Sequence, residues 1–92
     1  MMDQQQARAI FDDFLSDQQE ASGHNLAAID SITEQLSVGW AFYYQSTKYI
    51  ESGEMSDMLV GQGPVVILNN GTVLEGGSAD ADGNAVVERY AS

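Results

Sequence analysis

Cysteine is absent from the 92 residues, and lysine and arginine together number only three. The first absence excludes disulfides and thiolate metal sites, and it fits a reducing compartment such as the cytosol. The second leaves fourteen Asp and Glu almost uncancelled, a formal net charge of -11, so nucleic acid and anionic membranes would both be repelled. Long apolar runs are missing as well. The opening MMDQQQARAIFDDFLSDQQ has an acid at Asp3, where an export signal needs positive charge, and Asp12 and Asp13 break up its apolar residues. The expectation is a chain with no export or membrane segment, resident in the cytoplasm. Histidine is down to one. His24 follows Gly23 at the end of the first predicted helix, where the helix dipole favours a cation. With no cysteine, and no nucleophile and orienting acid beside it, His24 builds neither a metal site nor a catalytic triad.

At this length the chain is expected to make one domain whose small core buries about 60 to 65 per cent of its unfolded surface. Over residues 3 to 21, Ala7, Ile10, Phe11, Phe14 and Leu15 fall at i, i+3, i+4, i+7 and i+8, one stripe of an amphipathic helix. Asp3 and Gln6 supply a capping-box start and Ser22-Gly23 the stop, while Asp12, Asp13, Asp17 and Glu20 form a solvated face. Residues 26 to 36, LAAIDSITEQL, suit either a helix lined by Leu26, Ile29 and Leu36 or an exposed strand. Residues 39 to 46 alternate Trp40, Phe42 and Tyr44 with Ala41, Tyr43 and Gln45, which predicts one strand with a heavily aromatic face. That face is expected to lie under the first helix. Tyr43 would then point the other way and, if the second sheet face is open, offer a large aromatic contact to a partner.

Pro64 to Leu68 and Thr72 to Leu74, joined through Asn69 and Asn70-Gly71, read as a hairpin with a type I′ turn, because Asn-Gly accepts the positive φ values that turn needs. Between the aromatic strand and this hairpin runs a long connection, residues 47 to 62, with one short helical turn expected at 54 to 59. Connections of that length are usually functional or mobile. The segment GGSADADGN is a turn-rich stretch, and residues 85 to 90 predict a closing helix with Val86, Val87 and Tyr90 turned inward.

Three motifs suggest chemistry and do not sustain it. Asp80-Ala81-Asp82-Gly83-Asn84 resembles the start of a calcium loop, but its glycine is fourth instead of sixth and Ala91 stands where the chelating Glu belongs. Gly61-Gln62-Gly63-Pro64 leads into a strand, whereas a phosphate loop leads into a helix whose amides meet the anion. Asn70-Gly71-Thr72 fits a glycosylation acceptor in letters only and is explained by the hairpin. No constellation supports an enzyme, a cofactor or a metal, and nothing argues for a small-molecule ligand. The acids Glu51, Glu54 and Asp57, with Met55 and Met58 between them, read equally as a solvated turn and as an adaptable surface for a basic partner.

The order of motifs carries further. Gly39-Trp40 opening an aromatic strand, the turn YIESG, the run MLVGQGPVVIL and the late Gly-Ser-Ala before a helix ending in Tyr90 together resemble the immunity protein 35 family. Those are small bacterial proteins that neutralise a toxin made by the same cell. The resemblance implies that residues 26 to 36 are strand and that Gly39, Trp40, Gly61, Gly63, Pro64 and Gly71 are fold markers. It implies an α+β fold: an N-terminal helix packed on a three- or four-stranded antiparallel sheet with a short C-terminal helix, residues 1 to 92 forming a single immunity-type domain. It also implies a non-enzymatic protein whose partner is a cognate toxin; this chain's own pattern of aromatic strand and acidic loop makes Tyr43, Glu51, Glu54, Met55, Asp57 and Met58 the candidate contact residues. A basic toxin face would suit the acidic chain, whose field speeds encounter. The alternative that the same resemblance leaves open is a chaperone-like small stress protein of this fold.

Overall fold

The computed structural model describes residues 2–91. Helix α1 spans Gln4–Ser22. Asp3 accepts from the Gln6 amide at 2.8 Å while the Gln6 side chain accepts from the Asp3 amide, closing the expected capping box, and Gly23 ends the helix in the left-handed conformation. The chain then runs through β1 (Leu26–Ala28), β2 (Glu34–Leu36), β3 (Gly39–Phe42), β4 (Tyr44–Ser46), helix α2 (Thr47–Ser52), β5 (Gln62–Leu68), β6 (Val73–Gly77) and helix α3 (Gly83–Ala91). Short 3-10 turns occupy Asp30–Ile32 and Met55–Asp57.

Four strands form an antiparallel sheet in the order β2-β3-β5-β6, and β1 pairs with β4 in a separate two-stranded sheet. Alternation decides which side chain meets which helix. Phe42 and Trp40 of β3, level with Val65 and Ile67 of β5, present one face to α1, which buries Ala7, Phe11 and Leu15 against it. The rings of Phe11 and Phe42 stack at 4.8 Å and 12°. Burying each of these phenylalanines contributes roughly 1.5–3 kcal/mol, and the ring pair adds about 0.5–1.5 kcal/mol. The opposite face, Leu36, Ala41 and Val66, packs against Val86 of α3. Gly83 makes that approach possible, since a Cβ there would sit 2.6 Å from the Ala41 methyl.

The sheet is therefore covered on both sides, and the open face on which Tyr43 was to be displayed does not exist. Trp40 is only half-buried; its indole donates to the Met2 carbonyl at 3.0 Å and pins the start of the chain over the sheet. Gly39 lies so close to β5 that a Cβ there would come within 2.0 Å of the Ile67 carbonyl oxygen, which gives this marker a steric reason.

Several local expectations are corrected. Residues 26 to 36 are two short strands split by a 3-10 turn, because β1 and β2 belong to different sheets. The aromatic strand likewise divides at Tyr43. Its carbonyl accepts from the Ile29 amide at 2.8 Å, and beyond it the chain leaves the four-stranded sheet to pair with β1. The hairpin holds, but its turn is not type I′. Leu68 accepts from the Gly71 amide at 2.8 Å, and Gly71, at φ 90°, alone takes a positive φ; no residue other than glycine does so among those described. This is the three-residue loop in which a left-handed glycine closes the turn. Strand β5 begins at Gln62, ahead of Pro64, with an irregular register between Gln62 and Val65. Tyr90 is half-exposed instead of inward, its hydroxyl donating to the Glu75 carbonyl at 3.0 Å.

Candidate functional site

The long connection between β4 and β5 is more ordered than its sequence suggests. Ser46 caps α2 by accepting from the Tyr49 amide, and Gly53 ends that helix in the left-handed conformation. After the 3-10 turn the chain is held by two buried polar residues of β4. Gln45 donates through Nε2 to the Leu59 carbonyl at 3.0 Å and accepts from the Leu59 amide at 2.9 Å, so its amide group stands in for a neighbouring strand. The Ser46 hydroxyl donates to the Asp57 carbonyl at 2.6 Å. Buried polar groups cost free energy unless paired, and these two use their pairing to fasten the connection to the body of the protein.

Fastened in this way, the connection exposes apolar side chains that burial would normally claim. Val60 is 84% exposed, Met55 74% and Ile50 49%. Glu51 and Glu54 are exposed among them. Asp57 is half-buried and accepts from the Ser52 hydroxyl at 3.0 Å, so this acid also braces the segment.

Beside the connection lies a cavity of about 320 Å³ lined by Ile29, Ile32, Tyr43, Tyr44, Tyr49, Met58 and the start of β5. Two of the six candidate contact residues, Tyr43 and Met58, meet here. Tyr43 donates its hydroxyl to the Glu34 carboxylate at 2.5 Å, and Glu34 also accepts from the Gly83 amide, so one carboxylate ties the cavity wall to the start of α3. Burial, then the Glu34 hydrogen bond and the nearby negative charges of Glu34 and Asp82, push the Tyr43 phenol far above its ordinary value. It remains a neutral donor. Burial and then the charge of Glu75 raise Tyr44 as well. A second, more polar cavity of about 340 Å³ is lined in part by His24, Lys48, Asp57 and Met58, which places Met58 between the two and gathers Asp57 with it. Glu51, Glu54 and Met55 line neither cavity.

Sequence reasoning missed Tyr49, Ile29, Ile32 and the anchoring role of Gln45. The Ser46 cap and the Gly53 stop would have revealed α2, and with it the position of Tyr49. Nothing in the sequence brings Ile29 and Ile32 to Tyr43, because that meeting depends on the strand exchange between sheets.

A larger groove of about 610 Å³ lies at the other end of β3 and β5, lined by Val38, Leu68, Leu74, Val87 and Tyr90 beside the hairpin tips. None of its lining residues is charged, and none is a candidate contact residue. The Asp80-Ala81-Asp82 segment does structural work: Asp80 accepts from Arg89 at 2.9 Å and from the Gly77 amide at 2.8 Å, while Asp82 accepts from the Ala85 amide at the start of α3. No group of carboxylates or histidines among the described residues is arranged to hold a metal ion. No helix in the described structure is long and apolar enough to cross a membrane.

No curated protein and no solved structure matches the chain. Residues 5–87, which reach from the first turn of α1 into α3 and include the connection, the Tyr43 cavity and every candidate contact residue, match a protein family described as Immunity protein 35. The chain belongs to the immunity protein 35 family.

Proposed function

We propose that the protein is the immunity half of a toxin and immunity pair, acting in the cytoplasm, and that it neutralises its cognate toxin by occluding the active site or the path of the substrate. The observation that carries the role is the family match across most of the chain. The surface we assign to the toxin is the connection at residues 47 to 62 together with the rim of the Tyr43 cavity. Both faces of the main sheet are covered by helices, and the connection combines exposed Ile50, Met55 and Val60 with the carboxylates of Glu51, Glu54 and Asp57. Contacts of this kind divide the labour. Apolar and aromatic groups supply the packed centre, and the charges, within a chain of net charge -11, accelerate encounter with a basic face.

The test is reversal of Glu51, Glu54 and Asp57 to lysine, with the toxin taken as the product of the adjacent reading frame. Exposed charges contribute little to stability, so the variant is expected to retain its circular dichroism spectrum, with a small loss from the Asp57 contact to Ser52. Association should slow at low salt, and cells expressing the toxin should lose protection. A wild-type association rate together with full protection would move the interface away from the connection.

A further inference from the structure

We infer that the Tyr43 cavity receives the side chain of a single arginine of the partner. This inference deepens the proposed function and rests on it for the identity of the partner. About 320 Å³ lies at the small end of the roughly 300–1,000 Å³ that ligand pockets occupy. It suits one long side chain better than a folded segment.

The lining holds what such a side chain needs. Ile29, Ile32 and Met58 offer aliphatic surface for a hydrocarbon stem. Tyr43 and Tyr49 offer ring surface, on which a guanidinium stacks more readily than a strongly hydrated ammonium. A guanidinium carries five donors and no acceptor, so it needs acceptors. The Tyr44 ring is turned toward Phe11 and Phe14 of α1, which leaves the Tyr49 hydroxyl, without a hydrogen-bond partner among the described residues, as the phenolic acceptor. Gln62 donates through Nε2 to the Tyr44 carbonyl at 3.5 Å and keeps its amide oxygen available.

Hydroxyls could donate to an anion instead, and charge decides against that. Glu34 is bonded to the Tyr43 hydroxyl, Asp82 acts on the same phenol and Glu75 acts on Tyr44. Asp80 lines the cavity with Arg89 against it, and Asp30 at the neighbouring turn is engaged by Arg8. With Lys48 and Asp57 of the neighbouring cavity included, three cations stand against six carboxylates around this wall, and the remaining field favours an incoming positive charge. A carboxylate or phosphate would meet that field with the wrong sign.

The cavity can be tested without the toxin, by titrating the intact protein with N-acetyl-arginine methylamide and following the tyrosine ring and methionine methyl signals by NMR. Saturable shifts are expected at Tyr43, Tyr49 and Met58. The uncharged citrulline counterpart should bind about tenfold more weakly and the lysine counterpart more weakly than arginine. Tyr49→Ala should cut arginine affinity by about tenfold, and Ile32→Ser, at a half-exposed position on the rim, should lower it with the fold undisturbed. Citrulline binding as tightly as arginine, lysine binding as tightly as arginine, or shifts that persist at full strength in both variants would each overturn the assignment. Because the titration contains no toxin, a null result alongside intact neutralisation sinks the arginine pocket alone.

Discussion

Gln45 is where the fold and the proposed interface meet, so its replacement is the most informative perturbation. Gln45→Leu keeps the volume approximately and removes the amide group. Three hydrogen bonds go with it: from Nε2 to the Leu59 carbonyl, and to Oε1 from the amides of Leu59 and Ser46. Each such bond is worth about 0.5–1.5 kcal/mol net, and a buried group left unpaired costs about 1–3 kcal/mol. Leu59 is only half-buried, so water can reach its backbone once the connection moves. The expected loss is therefore about 2 kcal/mol, toward the lower end of those sums. A domain of 92 residues has a total stability on the order of 5–14 kcal/mol, so the variant should fold.

A loss of that size lowers the melting temperature by about 8–16 °C. The more specific readout is amide exchange. The Leu59 amide should exchange much faster in Gln45→Leu, while the amides of β3 and β5 in the centre of the main sheet should change only as far as global stability falls. Gln45→Glu separates the two halves of the clamp, since a carboxylate still accepts from the Leu59 amide and cannot donate to the Leu59 carbonyl. It should retain part of the Leu59 protection. If the connection is preorganised for the toxin, Gln45→Leu should also weaken the complex without altering any surface charge. An unchanged melting temperature with unchanged Leu59 exchange would show that Gln45 does not hold the connection and that the surface proposed for the toxin is not fastened by it.

Other expectations follow from the core and the charges. Phe42→Ala removes a fully buried ring stacked on Phe11 and should cost about 3–5 kcal/mol by chemical denaturation; the half-buried Trp40→Ala should cost less, and the reverse order would contradict the assigned packing. Arg89, through its hydrogen bond, and then the Gly77 amide hold the Asp80 carboxyl below its ordinary value. A carboxylate with a depressed folded value stabilises above its unfolded value of about 3.9 and loses that contribution as pH falls through the folded one. The stability difference between wild type and Asp80→Asn should therefore be full near neutral pH and shrink as pH falls below about 4. A difference that grows on acidification would reverse the sign and refute the pairing.

What could be read in the sequence was whatever depends on neighbours in the chain. The stripe from Ala7 to Leu15, the Asp3 and Gln6 box and the hairpin around Gly71 are local patterns with local causes, and each stands in the structure. The alternation of Trp40 and Phe42 against Ala41 also told the two sheet faces apart. The misses arose where distant segments decide. Tyr43 looked like the middle of one strand because alternation continues through Tyr44 and Gln45, yet pairing with β1 takes the chain into another sheet at that residue. Asn70-Gly71 suggested the turn type from residue identity, and the pairing of Leu68 with Thr72 selected a longer loop. Tyr43 and Met58 were singled out separately; that they share a cavity with Tyr49, Ile29 and Ile32 could not be read from spacing.

The placement of the proposed interface follows from what the two helices leave uncovered. Helix α1 takes the aromatic face of β3 and β5, and α3 takes the face of Ala41 and Val66. At one end of those strands the uncovered groove beside the hairpin tips is lined by no charged residue. At the other end stand the Tyr43 cavity and the connection, where exposed apolar groups and carboxylates occur together. A chain with fourteen acids and three cations gains most from its field where that field surrounds something a partner can pack against. Only the second end meets both conditions. Gln45 and Ser46 lie beneath it, binding Leu59 and Asp57, so the polar residues buried at the edge of the fold are the ones that keep this surface in shape.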